Sequence, residues 1–180
     1  MSLRANRIAA LMRPVTATAL IDAPRDRVFD FLIDLSARAA FMDHFLSDYR
    51  LERLDPVGVG AAGRFRLRHS GEWMDTAITE ADRPHLIREE GRGGRLNAVP
   101  AHTVWELSEG ASPDSTEVTL TFWTDPPTRL GRLKELAGST FYFRRDLQRA
   151  LGRLRQIIEG DEQVERVGVA GGAHLPAGVR

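Results

Sequence analysis

The sequence contains no cysteine. That absence excludes disulfides, thiolate metal sites and a cysteine nucleophile, and it fits a reducing, cytoplasmic setting. Neither charge is in excess, since 25 basic and 25 acidic residues cancel. A nucleic-acid binder draws much of its affinity from phosphate neutralisation and carries a basic surplus, so no nucleic-acid partner is expected. Lysine is nearly missing: Lys134 is the only one, and arginine is scattered through every segment. That spread reads as compositional bias. No apolar run approaches the roughly 20 residues of a membrane span. The run "IAALM" near the start is shorter than the core of a signal peptide, about 7–15 residues.

What is present suits one domain. A chain of 180 residues buries roughly 70% of its unfolded surface without a staple. Residues 1–14 read as an N-terminal arm and 15–160 as the folded domain. Residues 161–180, rich in glycine and alanine without periodicity, read as a disordered tail.

"VTATALI", Val15 to Ile21, alternates with period two and predicts a strand. Pro24 then fits the first position of a helix, where its missing N–H costs nothing, and Asp26 suits the first turn. Val28, Phe29, Leu32, Ile33 and Leu35 form a wide apolar stripe. Ser36 to Leu46, with Ser36 as the candidate cap, predicts a second short helix. "DYRLERL", "GRFRLRHS", "EWMDTAITEAD", "HLIREEGRG", "HTVWELSE" and "TEVTLTFWTD" alternate in turn, separated by clusters of turn-forming residues. They predict an antiparallel meander. From Leu133 to Ile158 apolar residues recur at three- and four-residue steps, which predicts a long helix ending at Glu159–Gly160. The expected fold is therefore α+β: about seven curved antiparallel strands wrapped around a long C-terminal helix, with two short helices after the first strand.

Several stretches resemble the START-like, or helix-grip (SRPBCC), superfamily, in particular its polyketide cyclase/dehydrase-like branch. They are "IDAPRDRVFDFLIDL", "VGVGAAGRFRLR", "ITEADRPHLI", "HTVWEL", "STEVTLTFWTDPP" and "RRDLQRALGRLRQIIE", in order from Val15 to Gly160. The resemblance implies a deep cavity between sheet and helix. Its members bind lipids, sterols, hormones, quinones or polyketides, and some act as aromatases or cyclases. None of the matched stretches is a catalytic signature, and shared fold is a weak warrant for shared chemistry.

Alternation assigns the faces. Phe65, Leu67 and His69 oppose Arg64, Arg66 and Arg68, and three arginines facing an apolar interior would be costly, so the first set points in. Met74, Thr76 and Ile78 point in from the next run, Trp105 and Phe122 from later ones, and Phe41, Thr140 and Phe143 from the helices. In "HLIREEGRG" either Ile87 with Glu89 or Leu86 with Arg88 and Glu90 faces the interior. The first is preferred because one carboxylate costs less to bury than an arginine–glutamate set.

These residues form the expected ligand site, with no cofactor and no metal. His69 and Glu89 are the candidates for an acid–base pair. Against that stands a wetted His69 at a strand end and a Glu89 paired with an arginine. His44 and Asp43 read as an exposed helix end, and Tyr49 and Tyr142 as hydroxyls for a ligand or a nearby carbonyl. "GRGGRLN" lacks the strand–glycine–helix context of a phosphate loop.

The first functional expectation is binding of a hydrophobic small molecule: a polyketide, lipid or aromatic compound. The alternatives are a polyketide aromatase/cyclase or dehydratase using His69 and Glu89, and a protein-interaction module whose cavity has closed. A homodimer is compatible with all three.

Overall fold

The computed structural model describes residues 14–125 and 139–168. Val15, Ala17 and Ile21 of β1 (Val15–Ile21) are buried, while Thr16 and Thr18 face solvent. The two outward threonines oppose Thr121 and Thr119 of the neighbouring strand, with hydroxyls 3.2 and 3.4 Å apart. β-branched residues on both faces thus hold the strand extended and give it one apolar side.

Pro24 stops the extended run with φ −59° and occupies the cap of α1 (Arg25–Leu32), one residue earlier than expected. Asp26 lies in the first turn, and Val28, Phe29 and Leu32 are buried. The second helix is shorter than Ser36 to Leu46. A 3-10 turn at Leu35–Ala37 leads into α2 (Arg38–Met42), and Leu46 already begins β2 (Leu46–Leu51). Asp34, not Ser36, is the cap. Its Oδ1 accepts the Ser36 N–H at 2.9 Å and the Ser36 hydroxyl at 2.5 Å, so one carboxylate holds both donors of the turn.

The remaining strands are β3 (Ala62–Leu67), β4 (Trp73–Asp82), β5 (Leu86–Gly93), β6 (Val99–Glu109) and β7 (Thr116–Thr124). With β1 and β2 they form one antiparallel sheet in the order β1-β7-β6-β5-β4-β3-β2, curled into a half-barrel. Only the β1–β7 pairing joins strands distant in sequence; the rest is the expected meander. Helix α3 (Ser139–Gly160) fills the concave side. Its Leu147, Ala150, Leu151, Leu154, Ile157 and Ile158 join the core of the sheet, while Arg144, Arg145 and Arg149 face solvent. Burying this stripe is what holds the helix in place. The predicted beginning of the helix, around Leu133 and Leu136, lies outside the described residues.

The far end of α3 is tied to the β1–α1 corner. Glu159 Oε1 accepts the Asp22 N–H and the Arg155 Nε–H, each at 2.8 Å, and Arg27 pairs with Asp161 at 2.6 Å. Beyond it the chain turns back. Val167 donates its N–H to the Ser36 carbonyl at 2.9 Å, Arg166 pairs with Asp34, and Val164 packs against the core. The segment expected as a tail from residue 161 therefore starts with a docked stretch. Residues 1–13 and 169–180 lie outside the described residues. Among those described, no helix is long and apolar enough to cross a membrane.

Candidate functional site

At its other end the half-barrel is not filled by the described residues. The register explains why. Gly63 of β3 faces Thr76 of β4, Thr76 faces Gly91 of β5, and Gly91 faces Ala101 of β6. Four small residues thus cross four strands in one row on the inner face. Large residues stand around them: Phe65, Leu67 and Met74 on one side, Leu120, Phe122, Phe143 and Leu147 on the other. The result is an apolar hollow of about 60 Å³. Gly91 has no alternative. A Cβ there would lie 1.9 Å from the Asp75 carbonyl oxygen, so the close approach of β4 and β5 requires glycine.

A charged pair forms one edge of this hollow. Arg38 of α2 and Glu89 of β5 are both about 95% removed from solvent, and Arg38 Nη2 donates to Glu89 Oε1 at 2.6 Å. Trp105 Nε1–H donates to the same oxygen at 2.8 Å, and the Thr76 hydroxyl donates to Oε2 at 3.1 Å. The guanidinium also lies over the Trp105 ring at 4.9 Å and the Phe41 ring at 5.8 Å, and Nη2 reaches the Leu32 carbonyl at 3.3 Å. Three donors, one of them cationic, compensate the buried carboxylate.

Beside this pair stands Tyr49 of β2, stacked on Phe65 with centroids 6.1 Å apart. Its Oη lies over the missing side chain of Gly63, where a Cβ would come within 2.8 Å. The oxygen is buried and has no hydrogen-bond partner among the described residues. Burial pushes the Tyr49 pKa well up from its ordinary value of 10.0, so the phenol keeps its proton. His44, just past α2, sits away from the hollow. Its Nε2 lies 3.0 Å from the Asp146 carbonyl oxygen, and burial holds its pKa below the usual 6.5 against that bond.

The structure brings some expected site residues together and separates others. Phe65, Leu67, Met74, Thr76, Glu89, Phe122 and Phe143 line the hollow. Ile87 and Glu89 share the inner face, with Arg88 and Glu90 outside. Phe41, Ile78 and Trp105 are fully buried in the core behind the lining. Thr140 and Tyr142 belong to a stretch whose side chains lie outside the described residues. His69 is a correction. β3 ends at Leu67, alternation stops with it, and His69 falls in the following turn with its side chain half exposed. Its Nε2 lies 3.4 Å from Asp146 Oδ2. The His69–Glu89 pair therefore does not assemble. No group of three or more His, Asp or Glu residues is placed to hold a metal among the described residues.

The sequence model of the family described as polyketide cyclase / dehydrase and lipid transport matches residues 12–159. The chain belongs to this family. Solved structures agree on the fold. KanY protein is 17% identical with a TM-score of 0.63, over 83% of this chain and 99% of its own. Major latex-like protein 151 from Panax ginseng is 10% identical with a TM-score of 0.59, over 81% and 96%. DynU16, from the dynemicin biosynthetic locus, is 19% identical with a TM-score of 0.56. The match takes in 83% of this chain but only 48% of DynU16, so the chain spans about half the length of that relative. A comparison with curated proteins finds no match.

For this polyketide cyclase/dehydrase family member, the reading from sequence passed over Arg38. Its signal was there. Arg38, Phe41 and Met42 stand at i, i+3 and i+4, so one arginine occupies the apolar face of a short helix. An arginine in that position implies a buried partner.

Proposed function

We propose that the protein binds a hydrophobic small molecule, a polyketide, lipid or other aromatic compound, in the hollow between sheet and α3. The observation that carries this reading is the row Gly63, Thr76, Gly91 and Ala101. A core selected for stability alone closes at crystal-like density. Here four adjacent strands carry small residues at one level, and apolar residues surround the gap. Binding sites of this kind are concave and mostly apolar, with a few placed polar groups.

The hollow, about 60 Å³, is smaller than the roughly 300–1,000 Å³ of a drug-sized site. A ligand inserts one end beside Tyr49 and the Arg38–Glu89 pair, and the rest occupies the mouth. Affinity comes from apolar burial, at roughly 25 cal/mol per Å². Glu89 is poorly suited to take up a substrate proton, because Arg38, Trp105 and Thr76 already donate to it. Carriage or sequestration of the ligand fits that arrangement better than acid–base turnover.

Titration with N-phenyl-1-naphthylamine, an uncharged fluorescent probe, tests the reading. The expected result is saturable binding of one probe per chain, lost in Ala101→Leu, whose side chain fills the hollow, while the thermal midpoint is retained. Absence of saturable binding, or equal binding by Ala101→Leu, would overturn it and favour an interaction module with a closed cavity.

A further inference from the structure

Resting on the binding reading above, we propose that the buried end of the ligand carries an uncharged acceptor oxygen, a ketone, quinone or ester carbonyl, which accepts a hydrogen bond from the Tyr49 hydroxyl. Four observations select this class over a plain hydrocarbon or a carboxylate.

The Tyr49 oxygen is buried on the inner face, against Gly63, and no described protein group pairs with it. A buried hydroxyl without a partner is costly, and natural cores avoid it. Tyr49 also borders the hollow itself, so a ligand there meets this hydroxyl directly.

The surrounding polar groups donate. Arg38 uses Nη2 for both of its hydrogen bonds, and guanidinium has no acceptor. The acceptor sites of Glu89 face Arg38, Trp105 and Thr76. Burial keeps Tyr49 protonated, so it too offers O–H. A ligand entering this corner meets the Tyr49 O–H as a donor, while both Glu89 oxygens already accept hydrogen bonds.

Charge decides between acceptors. Arg38 and Glu89 already cancel within the interior. A ligand carboxylate would bring a second negative charge beside Glu89 with no second cation on the hollow wall among the described residues, and an unpaired buried charge is strongly disfavoured. A neutral carbonyl takes the hydrogen bond without that cost.

Three probes of one shape separate the possibilities: 1-acetylnaphthalene, 1-ethylnaphthalene and 1-naphthoate, each titrated by calorimetry into wild type and Tyr49→Phe. The expected result is that wild type binds the ketone about fivefold more tightly than the hydrocarbon, the worth of one net hydrogen bond, and binds naphthoate weakest. In Tyr49→Phe the advantage of the ketone over the hydrocarbon is lost. Equal ketone and hydrocarbon affinities in wild type would overturn the carbonyl proposal yet leave the apolar site standing. Naphthoate binding as tightly as the ketone, or a preference that survives Tyr49→Phe, would overturn it too. If none of the three binds, the binding reading fails and the carbonyl proposal falls with it.

Discussion

Arg38 and Glu89 meet across the interior, 51 residues apart in sequence, with Nη2 2.6 Å from Oε1. One comes from a five-residue helix and the other from the middle strand of the sheet. The contact fixes α2 against the sheet and sets a charge pair beside an otherwise apolar hollow. Burying two ions recovers little net stability, but stranding one of them is expensive.

Arg38→Met is therefore expected to destabilise the fold by about 3–5 kcal/mol in urea unfolding, because Glu89 keeps its burial and loses its cation. The double variant Arg38→Met/Glu89→Leu recovers only part of that loss, because the buried Trp105 Nε1–H is left without its acceptor. A cost below about 1 kcal/mol for the single variant would show that the pair is solvated.

Tyr49→Phe removes a buried hydroxyl that no described group satisfies. The ligand-free protein is expected to unfold at the same or a higher temperature, with a gain of up to about 1–3 kcal/mol. A structural hydrogen bond would give the opposite sign. Stability gained at the expense of ligand affinity is the pattern of a group kept for binding.

His44 has a folded pKa below its ordinary 6.5, chiefly through burial, with the Asp146 carbonyl and carboxylate opposing and Arg149 and Arg153 reinforcing. Folding thus favours the neutral ring. Its contribution to stability is complete above pH 6.5, the unfolded value, and is lost as pH falls below it towards the folded pKa. His44→Gln is expected to flatten the decline in thermal midpoint between about pH 7 and about pH 5. Identical slopes for both proteins would contradict this.

Two glycines make a paired test of the backbone. Gly152 lies on the solvent side of α3, and a Cβ there meets nothing within 4 Å. Gly152→Ala should stabilise by about 1 kcal/mol through helix propensity. Gly91→Ala should destabilise by more than about 2 kcal/mol, since its Cβ collides with backbone that cannot rotate away. Chemical denaturation of both variants reads the two signs.

Much of this was legible in the sequence because the signals are local. Alternation located the strands, and the cost of burying charge chose Ile87 and Glu89 as the inward pair. The same rule failed for His69, because alternation was carried two residues past the end of β3 into a turn. Asp34 was overlooked as a cap because Ser36 has the more familiar spacing. The hollow itself was not readable as a place. Gly63, Thr76, Gly91 and Ala101 are separated by 10 to 15 residues and become a row only through the register of three strand pairings. Arg38 was visible as an arginine at apolar spacing, but its partner lies on a strand that no local pattern connects to it.

The most direct measurement is a set of nuclear Overhauser contacts between bound N-phenyl-1-naphthylamine and the methyl groups of the protein. Contacts to Leu67, Met74, Leu120 and Leu147, which line the hollow, are predicted, with none to the outward Leu54, Val59 and Leu96. Contacts confined to those outward residues would place the probe on the surface and contradict the account.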